Sequence, residues 1–169
     1  MIYRRKRVLL SEIERQCRFA LMAYDDASAA LRRRDAERVW YALQGLLTAS
    51  AHLRRLLARA ADLRAAIGLP DDSPLNERSL EPMADLVPAW ESWNSLQASE
   101  PSRLSSIGRD ARAGAAGEAA AGCPVRSFDP ETGTLTLFGK VLELSPLLAA
   151  IAEIAHRAET ALEHRRQLV

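Results

Sequence analysis

Two runs of apolar residues spaced three and four apart, separated only by Arg32-Arg33-Arg34-Asp35, constrain this chain more than any other feature. In the first run Ile13, Cys17, Ala20, Tyr24, Ala27 and Leu31 fall on one stripe of a helix. Ser11-Glu12-Ile13-Glu14 has the form of a capping box, in which Ser11 accepts from the backbone of Glu14 while the Glu14 carboxylate reaches back. The pattern therefore starts the helix at Ser11 and ends it in three arginines, where the helix dipole favours positive charge. Asp35 is the natural N-cap of a second helix. There Trp40, Leu43, Leu47, Leu53, Leu56, Leu57, Ala60, Leu63 and Ile67 keep helical spacing until Gly68 and Pro70 stop it. So short a connection predicts an antiparallel helical hairpin.

Residues 69–76, rich in Pro and Asp, read as a loop. A third helical region begins near Ser79 and carries Met83, Leu86, Val87, Trp90 and Trp93. Pro82 lies in its first turn and Pro88 inside it, which predicts a kink or two short helices. From 98 to 124 the composition shifts to Ser, Gly and Ala, the signature of a flexible connector. Over 125–144 the period changes to two. Val125–Phe128, the turn Asp129–Gly133, the alternating run Thr134–Phe138, Gly139-Lys140 and Val141–Leu144 predict a small antiparallel hairpin or three-stranded meander. Ser145-Pro146 then opens a last helix with Leu148, Ile151, Ala155, Ala158 and Leu162 on one face. The fold class implied is mainly α: an up-down bundle of about four helices in a single domain over 1–169, with the β-hairpin element before the last helix. At 169 residues such a chain buries enough surface to need neither metal nor disulfide.

Hydrophobic residues make up 48% and charged residues 27%, a balance that excludes collagen, disulfide scaffolds and disordered polymers. The apolar run after Arg4-Arg5-Lys6-Arg7 stops at Ser11, far short of a signal-peptide core, and every Leu/Ala-rich stretch is broken by Arg or Glu. No membrane partner and a cytoplasmic location are expected. Cys17 and Cys123 are too far apart in kind and position for a zinc or redox motif, and Cys17 sits within the buried stripe. All but two of the 23 basic residues are arginine, the lysines being Lys6 and Lys140. Arg4, Arg5, Arg7, Arg54 and Arg55 are the residues a nucleic acid would use, although near-zero net charge favours solvated helix faces.

Enzymatic signatures are sparse. Glu153-Ile-Ala-His156 is half of a di-iron carboxylate pair, but His52 and His164 are preceded three residues earlier by Ala49 and Ala161, so neither metal nor cofactor is expected. Arg157 and His164, seven residues apart, share a helical face and would supply a charge stabiliser and a proton-transfer group for phosphodiester cleavage. Walker, GxGxxG, GxSxG and HExxH motifs are absent. Cys123 has no histidine placed beside it. Asp25-Asp26 and Asp71-Asp72 are adjacent pairs that do not converge on a ligand.

The capped, Arg-rich hairpin, the third helix near Arg78-Ser-Leu-Glu81, and Phe128-Asp-Pro-Glu-Thr-Gly-Thr-Leu-Thr-Leu137 with Gly139 resemble a set of uncharacterised bacterial helical proteins. Their arrangement is similar to HEPN domains, four- or five-helix bundles of RNase toxins and phage-defence systems. That resemblance implies an Arg followed four to six residues later by His on the catalytic helix, and a tendency to dimerise. The third helix here holds Glu81, Pro82, Asp85 and Leu86 and no histidine, so the pair is either degenerate or is Arg157 and His164. The expected function is a non-enzymatic interaction module of a cytosolic bacterial system, binding a protein partner or itself through Trp90, Trp93, Leu137 and Phe138. The alternatives are a HEPN-like metal-independent ribonuclease and an Arg-mediated nucleic-acid binder.

Overall fold

A computed structural model describes residues 2–59, 67, 73–76, 105–107, 126–137 and 140–166. The described residues are mainly helical, with a small sheet before the last helix. In chain order they form α1 (Ile2–Arg32), α2 (Ala36–Arg59), a single 3-10 turn (Pro74–Asn76), β1 (Ser105–Ile107), β2 (Arg126–Asp129), β3 (Thr134–Leu137), β4 (Lys140–Glu143) and α3 (Leu144–Arg166). The chain divides into two compact units, 1–84 with 147–169 and 85–146, where the sequence pattern suggests one bundle domain. The third helical region near Ser79 lies outside the described residues.

In the first unit α1 and α2 form the expected hairpin. α1 is longer than its pattern suggests, because the helix does not begin at the Ser11 capping box. Residues 2–10 contain no helix breaker, and Leu10 extends the buried stripe one turn before Ile13. Glu12 and Glu14 are accordingly turned down the helix, to Arg15 and Gln16 and to Arg18, instead of back to a cap. Leu10, Ile13, Cys17, Ala20, Ala27 and Ala30 are buried, with Tyr24 and Leu31 at the edge. From α2 they meet a broad stripe that includes Val39, Leu43, Leu46, Leu47, Leu53 and Leu57. Each fully buried leucine here stabilises the pair by about 1.5–3 kcal/mol. Small residues let the helices approach: a Cβ placed on Gly45 would stand 3.5 Å from the Cβ of Ala23.

The connection is a Schellman turn. The Asp35 amide donates to the Ala30 carbonyl at 3.0 Å and the Arg34 amide to Leu31 at 3.0 Å, with Arg34 at φ 59°. Asp35 then caps α2, its Oδ1 accepting from the Arg38 amide at 3.0 Å. Ile67 is helical and buried, as the long apolar run requires, and Leu75 is buried in a 3-10 turn that Ser73 caps. α3 starts at Leu144, ahead of the Ser145-Pro146 start that the sequence suggests: Leu144 is buried, and Pro146 is tolerated because it stands in the first turn, where a missing N–H costs nothing. Its buried stripe is Leu144, Leu147, Ile151, Ile154 and Ala158, one residue out of phase with the predicted Leu148 and Ala155, which are half-buried.

In the second unit, β2, β3 and β4 form the predicted antiparallel meander. Leu135 stands opposite Phe128 on one side and Leu142 on the other. The Asp129 carboxylate accepts from the Glu131 amide at 3.0 Å and Gly133 takes φ +66°, which together shape the β2–β3 turn. A fourth strand was not anticipated. β1 pairs with β2 in parallel, placing Ile107 beside Phe128, and so extends the apolar row to Ile107, Phe128, Leu135 and Leu142. This corrects the reading of 98–124 as connector throughout: 105–107 are strand, and the rest of that stretch lies outside the described residues.

Candidate functional site

Of Leu137 and Phe138, the sheet residues expected to meet a partner, Leu137 is among the described residues. Leu137 alternates with Leu135 onto the apolar face and is 4% exposed, so it is packed away from a partner. Phe138, Trp90 and Trp93 lie outside the described residues, as does Cys123. Among the large apolar side chains of the sheet it is Val141, on the opposite face, that reaches solvent. Arg126 is half-buried in the same row as Leu137, and desolvation lowers its guanidinium from the usual arginine range.

Arg157 donates from Nε to Glu153 Oε1 at 2.6 Å and from Nη1 to the Ile67 carbonyl at 2.8 Å. The bond to Ile67 fastens α3 to the segment that follows α2, and the bond to Glu153, one turn back on α3, holds the guanidinium in place for it. Glu153, committed to Arg157, is withdrawn from any pairing with His156, which is exposed. His164 lies in the last turn of α3, seven residues beyond Arg157. Among the described residues no group of His, Cys, Asp and Glu gathers as a metal site, and no helix is long and apolar enough to cross a membrane.

What the hairpin brings together is different. α1 has two stripes. The inner one packs on α2, and the outer one, formed by Val8, Glu12, Arg15, Phe19, Met22 and Asp26, repeats at alternating steps of four and three. Phe19 is 50% exposed and Met22 58%. On α2 Tyr41 is 71% exposed, and the Arg38 guanidinium lies over its ring, 5.2 Å from the centroid. Arg38 also reaches Asp26 at 3.6 Å, which joins the Tyr41 patch to the outer stripe of α1. The sequence contained this signal: Phe19 and Met22 keep helical spacing with one another but fall out of phase with Ile13, Cys17 and Ala20.

No family model, curated protein or solved structure matches this chain.

At the other end of the hairpin the antiparallel fold brings the start of α1 to the end of α2. Arg7, Arg55 and Arg59 are exposed there, and Arg54 is half-buried. Arg4 and Arg5 occupy the first turns of α1 at the same end. A shallow open groove of about 250 Å³ lies between the helices, lined by Glu12, Gln16, His52, Arg55, Leu56 and Arg59. Charge is uneven along the chain: residues 1–59 hold 13 of the 23 basic residues and only 6 of the 22 acidic ones. Cys17, by contrast, is inert: burial, with the Glu14 carboxylate adding to it, pushes its thiol up to about 12.

Proposed function

We propose that this protein is a non-enzymatic, cytoplasmic binding module of a bacterial system, and that the outer face of the α1–α2 hairpin is its interaction surface. The region 79–96 supplies a further helix of an up-down bundle in this reading. The observation that carries it is the exposure of Phe19, Met22 and Tyr41 on one side of the hairpin, away from the packed stripe. Aromatic and methionine side chains are the types enriched at interfaces, and a contiguous exposed group of them marks a binding patch. The commitment of Arg157 to Glu153 and Ile67 favours this reading over a ribonuclease.

Site-specific photocrosslinking tests the surface. A benzophenone side chain replacing Phe19 is expected to give a protein adduct in cells, and one replacing Thr160, exposed on α3, is not. Equal yields at both positions, or none at Phe19, would overturn the assignment. Incubation of the wild type and His164→Ala with structured and single-stranded RNA separates the enzymatic alternative. The RNA is expected to remain intact with both proteins; cleavage lost in His164→Ala would replace this proposal with the HEPN-like ribonuclease.

A second reading rests on the basic end of the hairpin. Arg4, Arg5, Arg7, Arg54, Arg55 and Arg59 gathered at one end would bind a polyanion without chemistry. Retention of RNA that falls steeply with salt would support it, and absence of retention at low salt would dismiss it.

A further inference from the structure

The outer stripe of α1 is self-complementary. Reading along it, Arg15 and Arg18 precede Phe19, and Asp25 and Asp26 follow Met22. Arg15, Arg18 and Asp26 each expose more than half of their side chain, and Phe19 and Met22 lie between them. The steps from Glu12 through Arg15, Phe19 and Met22 to Asp26 are three, four, three and four, the spacing of a coiled-coil seam. We propose that the partner of this face is α1 of a second copy of the chain, laid antiparallel about a two-fold axis between Phe19 and Met22. This deepens the binding-module reading and rests on it.

The register follows from the residues. With the axis midway between Phe19 and Met22, Phe19 of one copy packs on Met22 of the other, and Met22 on Phe19. Arg15 then stands opposite Asp26, and Arg18 is flanked by Asp25, on both sides of the axis. A two-fold interface requires this property, since each residue on one side must suit its mate on the other. Parallel pairing would instead set Arg15 against Arg15 and Asp26 against Asp26. The bonds of Arg15 to Glu12, Arg18 to Glu14 and Arg38 to Asp26 do not compete strongly, because exposed ion pairs are weak and exchange readily. Burying two Phe–Met contacts supplies the attraction, and the charges fix direction and register.

Charge exchange tests the arrangement. The full chain is expected to sediment as a concentration-dependent dimer. Arg15→Asp/Arg18→Asp and Asp25→Arg/Asp26→Arg should each weaken self-association by at least about tenfold, which corresponds to about 1.4 kcal/mol. An equimolar mixture of the two variants should recover the dimer, because every pair of the antiparallel arrangement then joins opposite charges again, with the native sign on one side of the axis and the reversed sign on the other. Helical circular dichroism and the melting temperature of each variant check that folding is intact. A wild-type chain that stays monomeric, or variants that dimerise as well alone as mixed, would overturn the proposal. A monomer that still forms adducts from position 19 with other proteins would overturn self-association while leaving the binding-module reading standing. A monomer without such adducts would overturn both.

Discussion

Arg157 on α3 donates to the main-chain carbonyl of Ile67, ninety positions earlier in the chain, at 2.8 Å. The same guanidinium is held by Glu153 one turn back. An arginine placed by two partners in this way acts as a brace. Arg157→Ala should lower stability by about 1 kcal/mol, the net worth of a half-exposed charge-assisted hydrogen bond, and the melting temperature by roughly 2–4 °C. Arg157→Lys should recover only part of the loss, because an ammonium cannot fork between the carboxylate and the carbonyl. A thermal melt of the three proteins checks this; an unchanged melting temperature for Arg157→Ala would show that the brace carries no weight.

Much of the fold follows from patterns short enough to read locally. Asp35 as N-cap and the Asp129–Gly133 turn each depend on a residue and its immediate neighbours, and each stands where its chemistry requires. The start of α1 was not legible in the same way. The Ser11 capping box is a sound local signal, but packing of Leu10 outweighs a cap worth about 1 kcal/mol. β1 depends on pairing with a strand some twenty residues later, and Ser105-Ser106-Ile107 shows no alternation of its own. At the candidate site the difficulty was one of competition: Phe19 and Met22 lie on a helix whose other face has the stronger pattern. The burial of Leu137 was not legible for the opposite reason, since an alternating strand does not reveal which of its faces is covered.

The junction between α1 and α2 gives two substitutions of opposite sign. Arg34 adopts φ 59°, which for a residue with a Cβ costs about 1 kcal/mol and for glycine costs little. Arg34→Gly should therefore stabilise the hairpin by about 0.5–1 kcal/mol, although it removes a solvent-exposed charge. Asp35→Ala should destabilise it by about 1 kcal/mol, since the Arg38 amide loses its acceptor. Urea denaturation with constant slope checks both. Two shifts of the same sign would mean that the charge of the Arg32–Asp35 segment, and not its backbone geometry, controls the junction.

Cys17 connects burial to pH. Its thiol is raised from the ordinary 9.0 to about 12 by desolvation and by the Glu14 carboxylate. As pH rises above 9.0 the unfolded chain releases this proton while the folded chain keeps it, so folding becomes less favourable toward pH 12. The stability of wild type minus that of Cys17→Ala isolates the effect, since the other titrating groups are common to both. The difference should be flat below pH 9.0 and decline above it. In the native state Cys17 should also resist alkylation until the chain unfolds. Rapid labelling at neutral pH would show that the α1–α2 interface opens without global unfolding.

Gly45 lies in the middle of α2, beside Ala23 of α1. A methyl group at this position would meet Ala23 at 3.5 Å, which is ordinary van der Waals contact and requires no movement of α1. Glycine inside a helix is about 0.5–1 kcal/mol less favourable than alanine, because its unfolded backbone has more freedom to lose. Gly45→Ala should therefore raise the urea midpoint. Because position 45 is exposed and Ala23 is its one close neighbour among the described residues, Gly45→Leu should also keep the hairpin folded, its longer side chain turning to solvent. A destabilised Gly45→Ala would mean that α1 and α2 approach more tightly than 3.5 Å at this crossing in solution, and that glycine is retained there for packing.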